Sequence, residues 1–302
     1  MAIGGMVGLG SFIYTFTRLA AWLSNADFLN VAYAAAALLT PERILTDDRL
    51  DVTTGCAGTL LALLALYSER EAKAAKRERA LDLALCCGRR LLAARAPYRS
   101  GPRAWPGPDR PPVSGFAHGA AGISYGLVRL FRATGESAFR EAAMEGFAFE
   151  RRLYDARENN WLDPRFNRFL EQSAWCHGAP GMALARLKSL HALDTPELRE
   201  DIEGALSITR AIPEFYKDHL CCGISSRIEI LRIAGEMLNR PELLHDAERE
   251  SARLLARAAE DNLDFGEHAT NDPSLFLGFA GVGYTLLRAG RPGRFPCVLA
   301  LE

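Results

Sequence analysis

Gly119-Ala120-Ala121-Gly122-Ile123-Ser124-Tyr125-Gly126-Leu127 is a glycine turn that runs directly into an apolar helical segment, and the pattern recurs along the chain. Further copies are Gly5–Gly8 before Phe12-Ile13-Tyr14, Gly55–Gly58 before Leu60-Leu61-Ala62-Leu63-Leu64, Gly178–Gly181 before Met182-Ala183-Leu184, and Gly278–Gly281 before Tyr284-Thr285-Leu286. Gly223-Ile224-Ser225-Ser226 is a weaker sixth copy with serine in the last place. First glycines lie 45 to 64 residues apart (223 − 178 and 119 − 55). Each interval has room for two helices and their connectors, which predicts a helical repeat architecture.

Between the turns, the stretches 78–92, 137–154 and 241–258 place apolar residues at three- and four-residue steps opposite charged faces. The segments that follow each turn are more uniformly apolar and are expected to be buried helices. Strand signals are almost absent, and 97–112, with six prolines, is expected as a long irregular loop with a functional role. Alternating inner and outer helices predict an all-α fold, an α/α toroid. Its inner helices would all begin at one mouth and bring the glycine turns together. An open solenoid is the alternative, and it would keep the turns apart.

Apolar residues make up 49% of the 302 residues and charged residues 24%, which is ordinary for a globular chain. The near balance of 36 basic and 37 acidic side chains gives no electrostatic footprint for nucleic acid. Seven cysteines fit a reduced, cytoplasmic protein in which clustered thiols bind metal or do chemistry more often than they form disulfides. The apolar start, 1–23, carries Arg18 and four glycines and lacks a basic leader. It reads as the first repeat copy and not as an export signal or a membrane span.

Three of those cysteines stand just ahead of glycine turns, in Trp175-Cys176-His177-Gly178 and Leu220-Cys221-Cys222-Gly223. On a toroid, Cys176, Cys221 and Cys222 would share one Zn²⁺, and three thiolates leave the open fourth position of a catalytic zinc. Cys86-Cys87-Gly88 repeats the tripeptide inside an amphipathic run and is expected as packing, as are Cys56 and Cys297. His118 directly precedes a repeat glycine and should face the mouth. His177 is a candidate for holding a ligand in place, His219 a weaker candidate ligand, and Asp51 either a helix cap or an acid.

His118-Gly119-Ala120-Ala121-Gly122, the tryptophan-cysteine segment, Leu220-Cys221-Cys222-Gly223, Gly278-Phe279-Ala280-Gly281 and the ending 286–299 resemble the LanC-like lanthionine cyclases. More narrowly, they resemble the cyclase portion of class II lanthipeptide synthetases. The resemblance implies an α/α toroid of seven repeats, of which six are recognisable here and the first is missing. It therefore implies one cyclase domain over 1–302, N-terminally incomplete and without a dehydratase domain. The implied activity is zinc-dependent addition of peptide cysteine to dehydroalanine or dehydrobutyrine, acting on a dehydrated precursor peptide that a separate dehydratase would supply. The implied zinc ligands are Cys176, Cys221 and Cys222, with His118 handling protons and Asp51 as the family acid. Gln172 stands where some members have arginine. Two other readings stay open: a zinc-containing peptide-binding scaffold without turnover, or an inactive synthetase fragment. A zinc toroid of the prenyltransferase type would need a basic diphosphate pocket, and none accompanies these motifs.

Overall fold

The computed structural model describes residues 1–70, 73–108, 110–169, 173–211, 217–266 and 272–302. Gln172 lies outside the described residues. The chain packs as two compact units, one comprising Met1–Leu153, Pro164–Asn167 and Cys297–Glu302, the other Tyr154–Asp163 and Arg168–Pro296.

In the first unit, α1 (Leu9–Leu23), α4 (Cys56–Tyr67) and α6 (Ala120–Thr134) pack in a row with α4 in the middle. Each is backed by the helix that follows it in a hairpin: α2 (Asp27–Ala37), α5 (Ala74–Ala93) and α7 (Ser137–Arg151). A short α3 (Pro41–Leu45) leans on α5. In the second unit, α8 (Ala179–Ser189), α10 (Ile224–Leu238) and α12 (Phe279–Gly290) form the corresponding row around α10, backed by α9 (Pro196–Arg210) and α11 (Pro241–Ala259).

Composition separates the two helix types. Every residue from Cys56 to Leu66 is buried, as expected of a helix that is apolar all round. In α5 burial is confined to one face: Ala80, Leu83, Ala84, Cys87, Gly88 and Leu91. Two of the polar-faced elements start on a threonine cap followed by proline. Thr40 and Thr195 accept the amides of Arg43 and Leu198 at 3.3 Å each.

The apolar helices start differently. In each the residue before the first helical position is glycine: Gly8, Gly55, Gly119, Gly178, Gly223 and Gly278. Glycine offers no side chain to cap the first amides; before α8 Ser173 Oγ takes the first one, and before the other five helices the backbone contributes. The chain doubles back, and an early amide donates to the carbonyl seven residues upstream: Leu9 to Ala2, Ala57 to Leu50, Ala120 to Val113, Ile224 to Lys217 and Phe279 to Asp272, at 2.7–3.1 Å. Bringing two backbone stretches this close leaves no room for a side chain. A Cβ on Gly122 would lie 1.9 Å from the carbonyl oxygen of Phe116. This bond pattern also corrects the register of the first copy. Its helix begins after Gly8, so the structural equivalent of Gly119 is Gly8 and not Gly5.

Strands are few and short. The start of the stretch expected as an irregular loop is ordered, because β1 (Ala96–Pro97) and β2 (Arg103–Ala104) form an antiparallel pair with Ala96 opposite Ala104. In the second unit β3 (Tyr154–Asp155), β4 (Asn160–Asp163) and β5 (Arg168–Phe169) form an antiparallel meander. Among the described residues no helix is long and apolar enough to cross a membrane.

Candidate functional site

The residues just ahead of the glycine turns are held by the backbone doubling-back described above. In the second unit, Cys176 sits two residues before Gly178, whose φ of 117° lies in the region that only glycine adopts readily. The turn is closed by the Ala174 amide donating to the His177 carbonyl at 3.0 Å. The Ala179 amide donates to Ser173 Oγ at 2.7 Å. Cys221 and Cys222 occupy the matching turn before α10. Cys221 N–H donates to the carbonyl of Phe276 at 2.8 Å, and Cys222 N–H donates to His219 Nδ1 at 3.2 Å. Trp175 is buried and stacks on Phe276 with ring centroids 5.4 Å apart.

These turns bring the three sulfurs together. Cys176 Sγ lies 3.0 Å from Cys222 Sγ, and Cys222 Sγ lies 3.3 Å from Cys221 Sγ. All three ligand atoms fall within 4.8 Å of one another. The separations exceed an S–S bond of about 2.05 Å, so these are free thiols. They are also close enough to hold one metal ion. Among the described residues this is the one group of three or more His, Cys, Asp or Glu side chains so placed.

Protons divide unequally across the cluster. Hydrogen bonds from the Cys176 and Cys221 thiols pull Cys222 down to about 3. At Cys176, contact with Cys221 acts downward, but contact with Cys222 and burial outweigh it and push the thiol up to about 12. Contact with Cys176 raises Cys221 as well. The cluster thus favours ionisation at Cys222 over its two neighbours. Such a set gives up its remaining protons when a cation binds.

The first unit carries a second constellation. Asp51, 3% exposed, accepts Thr54 N–H at 2.7 Å and Thr54 Oγ1 at 3.1 Å on Oδ1. Its Oδ2 lies 2.8 Å from His118 Nδ1. Burial pushes the Asp51 carboxyl up, but the hydrogen bond and charge of His118, together with the Thr54 donors, overcome it and hold the group below its usual value. Asp51 is therefore an ionised acceptor near neutral pH, which puts the proton of the pair on Nδ1. Nε2 is then the nitrogen that can take up or release a proton. Asp51 is not a helix cap, since the first amide of α4, Cys56 N–H, goes to Asp47 Oδ2 at 2.8 Å; Asp51 ties down its own turn and orients the histidine. Arg110, from the proline-rich loop, brings Nη2 to 3.9 Å from the same Oδ2.

Cys87 is buried on α5, and Cys56 Sγ donates to its carbonyl at 3.4 Å, so both serve packing as expected. His219 is a hydrogen-bond acceptor for the Cys222 amide and stands outside the sulfur set. Sequence reasoning missed Arg110, Asp218 and Arg227. The buried Asp218 fixes the approach to Cys221. Its Oδ1 pairs with Arg257, and its Oδ2 accepts Asp264 N–H at 2.7 Å. Arg227 gave no distinct signal, because α10 also carries Glu229, Arg232 and Glu236.

The chain has an all-α fold, with three convergent thiols at the starts of its buried helices that could hold a metal ion. Comparison with solved structures places it further. Nisin cyclase superposes with a TM-score of 0.74 at 17% identity, over 99% of this chain and 81% of that one. A sugar epimerase from a ruminal bacterium (TM-score 0.53, 12% identity, 80% of this chain and 72% of that one) shares the fold more distantly. So does an α-mannanase of Bacteroides thetaiotaomicron (TM-score 0.53, 13% identity, 93% and 85%). At such identities the likeness shows the fold, and a fold hosts several chemistries. The sequence profile described as "Lanthionine synthetase C-like protein" matches residues 1–300, and the chain belongs to that family. It is accordingly an enzyme of the lanthionine synthetase type, whose reaction forms a carbon–sulfur bond.

Proposed function

We propose that this protein, one cyclase domain over 1–302, closes thioether rings in a dehydrated precursor peptide, as the cyclase part of a class II lanthipeptide system in the cytoplasm. A separate dehydratase supplies the dehydrated peptide. The observation that carries the reading is the three-sulfur cluster in a lanthionine synthetase C-like chain. The donor set fits zinc. Cysteine thiolates are its preferred soft ligands, and three of them leave one tetrahedral position for a substrate sulfur. When bound, the ion supplies a deprotonated substrate thiol at neutral pH and, with three electron-rich thiolates behind it, keeps that sulfur nucleophilic.

In the reaction the substrate sulfur forms a bond to the β-carbon of dehydroalanine or dehydrobutyrine. The alkene electrons pass to the carbonyl as an enolate, and a proton is then added at the α-carbon. We assign that proton to His118 Nε2. The ionised Asp51 keeps Nδ1 as the hydrogen-bond donor, which leaves Nε2 for the transfer.

The test is metal analysis of the purified protein followed by mass spectrometry of a dehydrated peptide after incubation and thiol alkylation. Cyclisation leaves the peptide mass unchanged and removes its free thiols. The zinc-bearing wild type should protect the thiols. His118→Asn should keep its zinc and cyclise about 10²-fold or more slowly. A zinc-loaded wild type that leaves every thiol open to alkylation would favour the scaffold reading instead.

A further inference from the structure

Arg227 is the fourth residue of α10, one turn beyond Cys222-Gly223, and its side chain is among the largest fully buried ones in the molecule. Its Nη1 donates to the carbonyls of Ile208 (2.8 Å) and Thr209 (2.9 Å), which belong to the last turn of α9. A cation is favourable there, because the closing carbonyls of a helix lack intrahelical partners and carry its negative end. Its Nη2 donates to the carbonyl of Ser173 at 2.8 Å. Ser173 is also the residue whose Oγ receives the first amide of α8. The segment 173–179, with Cys176 inside it, is therefore fixed at its origin from two sides.

One planar guanidinium thus joins the backbone leading into Cys176 to the helix leading away from Cys222. The two turns also have local bonds that need no arginine: Ala179 to Ser173 in one, and Ile224 to Lys217 at 2.7 Å in the other. Those bonds shape each turn but say nothing about the distance between them. Besides the sulfur–sulfur contact of Cys176 with Cys222 itself, the hydrogen bond from Arg227 Nη2 to Ser173 connects the two sulfur-bearing stretches.

The geometry points to Arg227 as a positioning residue that presets the three-sulfur site, holding Cys176 opposite Cys221-Cys222 before any metal arrives. This rests on the reading of the three cysteines as metal ligands. Groups that orient ligands from outside the coordination sphere commonly change metal affinity 10–100-fold when removed. Lysine cannot replace the arrangement, because a single ammonium on a flexible stem does not span three carbonyls as a rigid fork does.

The experiment measures zinc affinity by competition with a chromophoric chelator for wild type, Arg227→Lys, Arg227→Gln and Asp201→Asn. Thiolate-to-cobalt absorption of the Co²⁺-loaded forms is recorded alongside. Asp201→Asn breaks the buried 2.9 Å ion pair with Arg186 in the same unit and reports plain loss of stability. Both Arg227 variants should bind zinc 10–100-fold more weakly with altered cobalt spectra, while Asp201→Asn stays within about twofold of wild type. If Arg227→Gln does not fold, Arg227→Lys decides alone. Affinity within twofold of wild type in Arg227→Lys, or an equal loss in Asp201→Asn, overturns the assignment. A wild type that takes up no zinc would instead overturn the ligand reading on which it stands.

Discussion

Cys86-Cys87-Gly88 and Cys221-Cys222-Gly223 are the same three residues with opposite fates. The first lies in the middle of α5, where successive side chains diverge around the axis. Cys87 is buried, Cys86 is half-buried, and Gly88 provides room for neighbours: a Cβ there would meet Leu130 Cδ2 at 2.3 Å and Phe139 Cε1 at 2.7 Å. The second ends a turn, and its glycine is the last residue before α10. Outside the helix the two sulfurs point the same way, 3.3 Å apart, and a third joins them from another turn. Chemistry here follows from where the helix starts and not from the tripeptide.

The contrast can be broken most decisively at the sulfur. Cys222→Ala should lower zinc affinity more than about 100-fold, beyond the range for a group outside the coordination sphere. Cys87→Ala should leave metal content unchanged. Elemental analysis of the two purified variants checks this, and metal loss in Cys87→Ala would show that the wrong pair had been chosen. The glycines come next. A Cβ on Gly223 would lie 2.3 Å from the carbonyl oxygen of His219 and 2.5 Å from that of Lys217. Since backbone cannot give way as side chains do, Gly223→Ala should displace Cys221 and Cys222 and weaken metal binding about tenfold or more. Gly88→Ala presses on side chains only. It should cost about 1–3 kcal/mol by overpacking, read as a lower melting temperature with full metal content.

The smallest effect concerns Asp51, whose charge is tested through the stability of the folded protein. Its carboxyl is held below the usual value in the folded protein, so it adds stability that is fully present above the unfolded-state pKa, near 3.9, and is lost as pH falls through the lowered folded value. Asp51→Asn should therefore melt lower than wild type at pH 7 and approach it on acidification below about pH 4. Metal content should not change. Parallel melting curves at all pH values would argue against an ionised partner for His118.

Much of this was legible in the chain itself. Glycine before an apolar run located all the buried helices, because only glycine tolerates the backbone approach seen at Gly122. The three clustered cysteines were separable from the packing cysteines by their place before a turn. The register of the first copy was not legible. Glycines at 4, 5, 8 and 10 permit several frames, and only the amide of Leu9 reaching Ala2 selects one. Arg227, Asp218 and Arg110 escaped for another reason. Their partners are backbone groups and distant side chains of opposite charge brought close by tertiary packing, and such bonds leave no period in a sequence. The short pairing of β1 with β2 inside a proline-rich stretch was hidden by the same prolines that announced a loop.

The glycine start of each buried helix makes the residue before that glycine an interchangeable fitting. The closing bonds run from amides to carbonyls or, before α8, to Ser173 Oγ, so the side chain mounted there takes no part in closing them. This chain mounts Cys222 at one such position, His118 at another and Val7, Thr54, His177 and Leu277 at the rest. A scaffold of this kind can trade sulfur for imidazole or hydrocarbon, one mounting at a time, without reworking its framework.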